Sequence, residues 1–253
     1  MAGTLPVWTV IKETYAAVFR DFSGFAARVW AWTVLIWLTT FVVVYLSLQL
    51  PRIFTELNLV FLILLPMYAG VAVALQRRVL LGENRRGLRA LRFGWRELKA
   101  SAIGTMLAIG FWGPFVLGGG IIDTGAGTKR AVLFVLLYAI AISGAFLYMA
   151  LRLSLAFPLT ATDERRVFDQ SWVMLRGKML RLFAILLVTY YPMAVVTGKL
   201  TQLLILAATK KAYVSVFLVH GLMIIALTLS ICLAAGAASL VLTHLRGTAP
   251  AHA

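Results

Sequence analysis

The sequence predicts an all-α fold, a polytopic bundle of six transmembrane helices carrying three amphipathic helices at its cytoplasmic surface. Three observations predict it. Of 253 residues, 62% are apolar and 13% charged, against roughly half and a quarter in a soluble domain. Six apolar runs approach the ~20 residues that a helix needs to cross the hydrocarbon. Three further segments repeat apolar residues at steps of three and four beside clustered Lys and Arg, the pattern of a helix with one greasy face.

In chain order, residues 4–27 form the first amphipathic segment, with Trp8, Ile11, Tyr15, Val18, Phe22 and Phe25 on one stripe and Thr4 and Pro6 as helix-start signals. Residues 29–75 hold spans one and two, Val29–Leu48 and Leu59–Leu75. Residues 82–99 form a basic amphipathic helix: Arg85, Arg89, Arg92, Arg96 and Lys99 share one stripe, and Leu88, Leu91, Trp95 and Leu98 the adjacent one. Such a helix is built to lie in the interface, apolar side chains in the acyl boundary and guanidinium groups among phosphates. Residues 100–151 hold spans three and four, Ala100–Leu117 and Ala131–Leu151. Residues 163–181 form the third amphipathic helix, with Asp163 as its N-cap and Phe168, Trp172, Leu175 and Met179 on its apolar stripe. Residues 182–242 hold spans five and six.

Span five is short, Leu182–Val196, and ends at Thr197-Gly198-Lys199; the following 200–208 reads as a separate interfacial helix or re-entrant turn. Span six, Ala212–Leu242, is overlong and carries small residues from Ala234 to Ser239, a surface for close helix contact. Pro66 and Pro192 fall inside spans two and five. Residues 1–253 therefore make a single integral membrane domain, with no room for a separate soluble catalytic domain.

The net charge of +15 would suggest a nucleic-acid partner in a soluble protein. Here topology accounts for it, and no nucleic acid is expected. With both termini cytoplasmic, 18 of the 24 Lys and Arg fall on inner segments and 6 on outer ones, the bias that orients multi-pass proteins. The first long apolar run is long enough to span, so it is a span and not a cleavable signal.

Little in the chain points to chemistry. The single Cys232 leaves no disulfide or thiolate cluster, and His220, His244 and His252 make no metal-ligand spacing. No phosphate loop or dinucleotide fingerprint is present. No catalytic residue, cofactor or metal is assigned, and the chain is expected not to be an enzyme. Ser143-Gly144 with His220 resembles the serine–histidine dyad of rhomboid intramembrane proteases. The resemblance fails in detail, since Ala141 stands where that family has glycine and Ser143 lies mid-span. Arg152, near the inner end of span four, and His220, inside span six, are the intramembrane polar candidates; with Pro66 and Pro192 they would form the site of a small-solute or lipid transporter or channel.

Arg152-Leu-Ser-Leu-Ala-Phe-Pro158, a short acidic segment, Ser171-Trp172 and Leu175-Arg176-Gly177 together resemble the signature region of the YciC-like inner-membrane proteins. That group is similar to the membrane domain fused to some glycerophosphodiester phosphodiesterases. The resemblance implies a multi-pass protein of the bacterial inner membrane, and its motif positions here are Arg152, Pro158, Ser171, Trp172, Arg176 and Gly177. The fused catalytic domain is absent, so its activity is not implied. The expected function is a non-enzymatic accessory or scaffold protein in envelope or lipid homeostasis. Its basic helices, Arg85 to Lys99 above all, would engage anionic lipid or a cytoplasmic or membrane protein partner.

Overall fold

The computed structural model describes residues 5–20, 22–49, 59–83, 87–91, 93–107, 129–210 and 212–247, and among them the chain is helical with no strand. The elements are α1 (Val7–Phe19), α2 (Phe22–Gln49), α3 (Leu59–Leu81), a 3-10 turn (Gly87–Ala90) and α4, helical over 95–107. After these come α5 (Lys129–Leu153), the short α6 (Ala156–Ala161) and α7 (Val167–Met174), then α8 (Met179–Thr209) and α9 (Tyr213–Arg246). In hydrocarbon every backbone amide must be paired within the protein, which is why the apolar runs are helices. Five stretches are long and apolar enough to cross a membrane: Phe22–Val43, Leu64–Leu81, Leu136–Leu153, Met179–Ala207 and Val214–Arg246. They match five of the six predicted spans. The remaining one, 100–117, is helical through 107 and otherwise lies outside the described residues.

α9 is the central helix. Its second half is almost wholly buried, with Cys232, Leu233, Ala237, Ser239, Val241 and Leu242 fully enclosed, and it packs on α8, α3, α1, α2 and α6. The small-residue run is the reason: a methyl added at Gly236 would meet Thr14 of α1 at 3.7 Å and Leu75 of α3 at 4.0 Å. α9 stops where Gly247 takes a left-handed φ of 68° and returns its N–H to Thr243.

Three expectations are corrected. The helix predicted over 4–27 is shorter and not a separate surface element. α1 ends at Phe19, Phe22 and Phe25 belong to α2, and Val10, Ile11, Thr14 and Val18 are buried against α8 and α9. Thr4 lies outside the described residues. Where 82–99 is described, the predicted continuous helix is broken: Gly87–Ala90 is a 3-10 turn, Leu91, Phe93 and Gly94 are not helical, and helix begins again as α4 at Trp95. Gly87 takes φ +60°, and Glu97 accepts the Gly94 N–H at 2.8 Å, half of a capping box that starts a new helix there. The helix predicted over 163–181 is likewise broken. Asp163 and Arg166 take left-handed φ values of 62° and 57°, Gly177 takes 73°, and only Val167–Met174 is helical between them. Asp163 caps nothing, because its carboxylate is held elsewhere.

The break expected after Val196 is also absent: α8 runs unbroken from Met179 to Thr209. Thr197 and Thr201 return their hydroxyls to Met193 and Thr197 carbonyls at 3.0 and 2.9 Å, so these polar residues are satisfied inside the helix.

Candidate functional site

Charged contacts collect at one end of the bundle, where α1, the start of α2, the end of α3, α4, the α5–α8 connection and the end of α9 meet. Among the described residues, pairs between separate segments fasten it: His244 Nε2 to Glu13 Oε2 at 2.9 Å, and, in the α6–α7 connection, Glu164 Oε1 to Arg246 Nη2 at 3.2 Å and Asp163 to Arg96.

The densest cluster surrounds a crevice with about 50 Å³ of room for water between α2, α3 and α4, walled by Arg28, Trp32, Arg77, Arg78, Glu83, Arg96 and Glu97. Gly70 lets the Trp32 ring lie against α3; a methyl there would sit 2.5 Å from Cη2. Arg77, whose side chain is 13% exposed, donates Nη1 to the Ala161 carbonyl at 2.6 Å, pairs with Glu83, and comes within 3.8 Å of Asp163. Arg96 grips Asp163 with Nε and Nη2, a two-pronged charged pair. The hydrogen bonds from Arg96 hold the Asp163 carboxyl below its ordinary value, with Arg77 and Lys99 adding to the effect, and Asp163 in turn raises Arg96. The α6–α7 connection is thus strapped to α3 and α4.

A second cluster joins the end of α5 to α7. Arg152 donates Nε to Tyr148 Oη at 3.1 Å and Nη1 to the Trp172 carbonyl at 2.9 Å. Its guanidinium lies 4.9 Å from the Trp172 ring and 5.5 Å from that of Tyr148, within cation–π range of both. Ser171, fully buried, closes the loop by donating Oγ to the Arg152 carbonyl at 2.7 Å. Three of the six motif positions, Arg152, Ser171 and Trp172, therefore meet in one joint. Pro158 is buried in the first turn of α6, Gly177 supplies the left-handed turn into α8, and Arg176 is exposed.

The basic stripe divides. Arg85 and Arg92 lie outside the described residues. Arg96 is taken up by Asp163. Arg89 is exposed, and exposed Lys99 sits 5.6 Å from the Trp95 ring. Around them Leu88, Phe93, Trp95 and Leu98 are all exposed apolar side chains.

His220 is partly buried in α9 and its Nε2 has no hydrogen-bond partner among the described residues; Ser143 is buried in α5. Among the described residues no three His, Cys, Asp or Glu side chains gather as metal ligands.

Sequence reading missed two features, of which only the second carries a local signal. Arg77 and Asp163 form a pair across 86 positions, which no local pattern reports. Pro192 lacks an N–H, so the Val188 carbonyl four residues earlier has no helical donor. The Tyr15 hydroxyl supplies one, 3.3 Å from Val188 O and 3.4 Å from Thr189 O, and burial raises this phenol's pKa.

No family model matches this chain, and neither a curated protein nor a solved structure matches it.

Proposed function

We propose that this is a non-enzymatic protein of a bacterial inner membrane, spanning it six times with both termini in the cytoplasm. In this reading its charged end engages anionic lipid of the cytoplasmic leaflet, and the protein serves as an accessory or scaffold in envelope or lipid homeostasis. The observation that carries it is that Leu88, Phe93, Trp95 and Leu98 are exposed within 87–99 together with Arg89 and Lys99, the latter 5.6 Å from the Trp95 ring. In water that exposure is unfavourable. At a headgroup boundary it is a match, apolar groups entering the acyl edge and each cation contributing about 1 kcal/mol beside an anionic leaflet. The three-to-one distribution of Lys and Arg supports the orientation, and the resemblance to the YciC-like proteins supports the setting.

The test is mass spectrometry of lipids co-purified from a mixed phosphatidylethanolamine and phosphatidylglycerol membrane. Wild-type protein is expected to carry phosphatidylglycerol above its bulk fraction, and Arg89→Gln with Lys99→Gln to lower that enrichment several-fold. Equal enrichment in the double variant overturns the reading. Arg96 is left intact, because its loss would release Asp163 and confuse folding with binding.

A further inference from the structure

The Arg152 joint differs from the other fastenings of the charged end in one respect: among the described residues it has no acid. Arg77, Arg96 and Arg246 each lie within 4.0 Å of a carboxylate. Arg152 meets only neutral oxygens, the Tyr148 hydroxyl and the Trp172 carbonyl. A guanidinium has five N–H donors; two are used here, and three, including both on Nη2, are unused. The rings beside it stand at 83° to each other with centroids 6.2 Å apart, an edge-to-face corner and not a closed sandwich. Both rings are open to the surroundings, Tyr148 at 46% exposure and Trp172 at 40%.

From this geometry we infer that Arg152, Tyr148 and Trp172 form a discrete site for one phosphate group, supplied by the headgroup of an anionic lipid. The inference rests on the placement of this end at the cytoplasmic headgroups proposed above. A cation fixed at that level with donors to spare meets phosphate oxygens, which accept N–H bonds from arginine more strongly than neutral acceptors do. Tyr and Trp are the residues that sit at the same depth, apolar ring inward and polar edge outward. The site is ordered before any ligand arrives, because Ser171 Oγ and Arg152 Nη1 lock the two backbones together. A cation at the last turn of α5 would also suit the helix dipole. Lysine would serve the dipole equally well, and this separates the two roles.

The experiment is native mass spectrometry of the detergent-solubilised protein titrated with phosphatidylglycerol or phosphatidylcholine. Wild type is expected to hold one phosphatidylglycerol per chain with about tenfold preference over phosphatidylcholine, whose phosphate is already neutralised by its own choline and offers the guanidinium no net negative charge. Arg152→Lys is expected to lower that occupancy several-fold and Arg152→Gln to abolish the preference. The wild-type preference is read in its own right, since Arg152→Gln also removes the bond to Trp172; equal binding of the two lipids by wild type overturns the site. So does an unchanged preference in either variant. Inorganic phosphate is added as a competitor: displacement of the lipid by the free ion overturns the lipid source, and retention supports it. The Arg89→Gln, Lys99→Gln variant is expected to keep this single lipid. If it does, and the bulk enrichment is also unaltered, the surface reading fails while the Arg152 site stands; the reverse pattern sinks the site alone.

Discussion

Among the arginines that fasten the α5–α8 connection, Arg96 and Arg152 do it by opposite means. Arg96 is saturated by Asp163, charge against charge, with Arg77 close by and itself paired to Glu83. Arg152 is held by ring faces, a hydroxyl and a carbonyl, and among the described residues its charge has no counter-ion. The first arrangement is internally complete: it asks nothing of the surroundings and can only stabilise. The second is complete in shape and incomplete in charge. The lesson concerns function more than stability, because a cation positioned without its anion is a place for something else.

The largest expected effect lies on the saturated side. Arg77→Ala removes the donor to the Ala161 carbonyl together with the guanidinium that pairs with Glu83 and approaches Asp163. Breaking such a pair costs about 3 kcal/mol, which a thermal melt in detergent would register as a drop of several degrees. Arg152→Ala, measured in the same lipid-free detergent, is expected to cost only about 1 kcal/mol, since no buried acid is stranded. Equal losses would erase the distinction between the two fastenings.

Ser171→Ala comes next. Ser171 is fully buried and its hydroxyl satisfies a carbonyl in the last turn of α5, where no further helical donor follows. The loss is expected at about 1–2 kcal/mol, with increased quenching of Trp172 fluorescence by added acrylamide as the ring is released; a silent melt and unchanged quenching would show that Ser171 does not lock the joint.

The Arg96–Asp163 pair, half exposed, contributes less and contributes conditionally. Its carboxyl is depressed in the folded state by the Arg96 hydrogen bonds. The contribution is therefore complete above the ordinary carboxyl value of about 4 and disappears as pH falls through the lowered folded value. Asp163→Asn is expected to be destabilising at neutral pH and to converge with wild type in strong acid. The melting difference between the two proteins, followed as a function of pH, checks this; a difference that persists at the acid end would mean that Asp163 acts through its backbone and not its charge.

The same segment shows where the sequence was informative. Five spans were legible because a run of some twenty apolar residues admits one solution in a membrane, and the contact surface at 234–239 because only small side chains let helices approach so closely. The amphipathic segments were legible as periodic patterns and not as elements. Helical period says which residues share a face if the helix continues; it does not say that it continues. Gly87, Gly94 and Gly177 were visible interruptions that the stripe overrode, and Glu97, three residues past Gly94, was a capping signal for a fresh start. Asp163 and Arg166 gave no warning, since a non-glycine residue with positive φ is held by its partners, here Arg96 from 67 positions away. The α1 stripe did not say what its apolar face meets: Val10, Ile11 and Val18 are buried against the bundle while Trp8 stays exposed.

Tyr15 offers a neutral counterpart to the two arginines and the smallest expected effect. Pro192 cannot donate to Val188 O, and the Tyr15 hydroxyl, long range at 3.3 Å and partly exposed, stands in for the missing amide. Tyr15→Phe is expected to cost about 0.5 kcal/mol, the low end for one hydrogen bond. The change keeps the ring that stacks 6.0 Å from Phe19, so the value reports the hydroxyl, including its own solvation. A double-mutant cycle with Pro192→Ala isolates the bond. Alanine restores the backbone N–H, so Val188 O regains its helical partner and the Tyr15 hydroxyl loses its purpose. In the Pro192→Ala background Tyr15→Phe should be close to neutral. A coupling of zero would mean that Tyr15 is retained for its ring, and that α1 is fastened to α8 by packing alone.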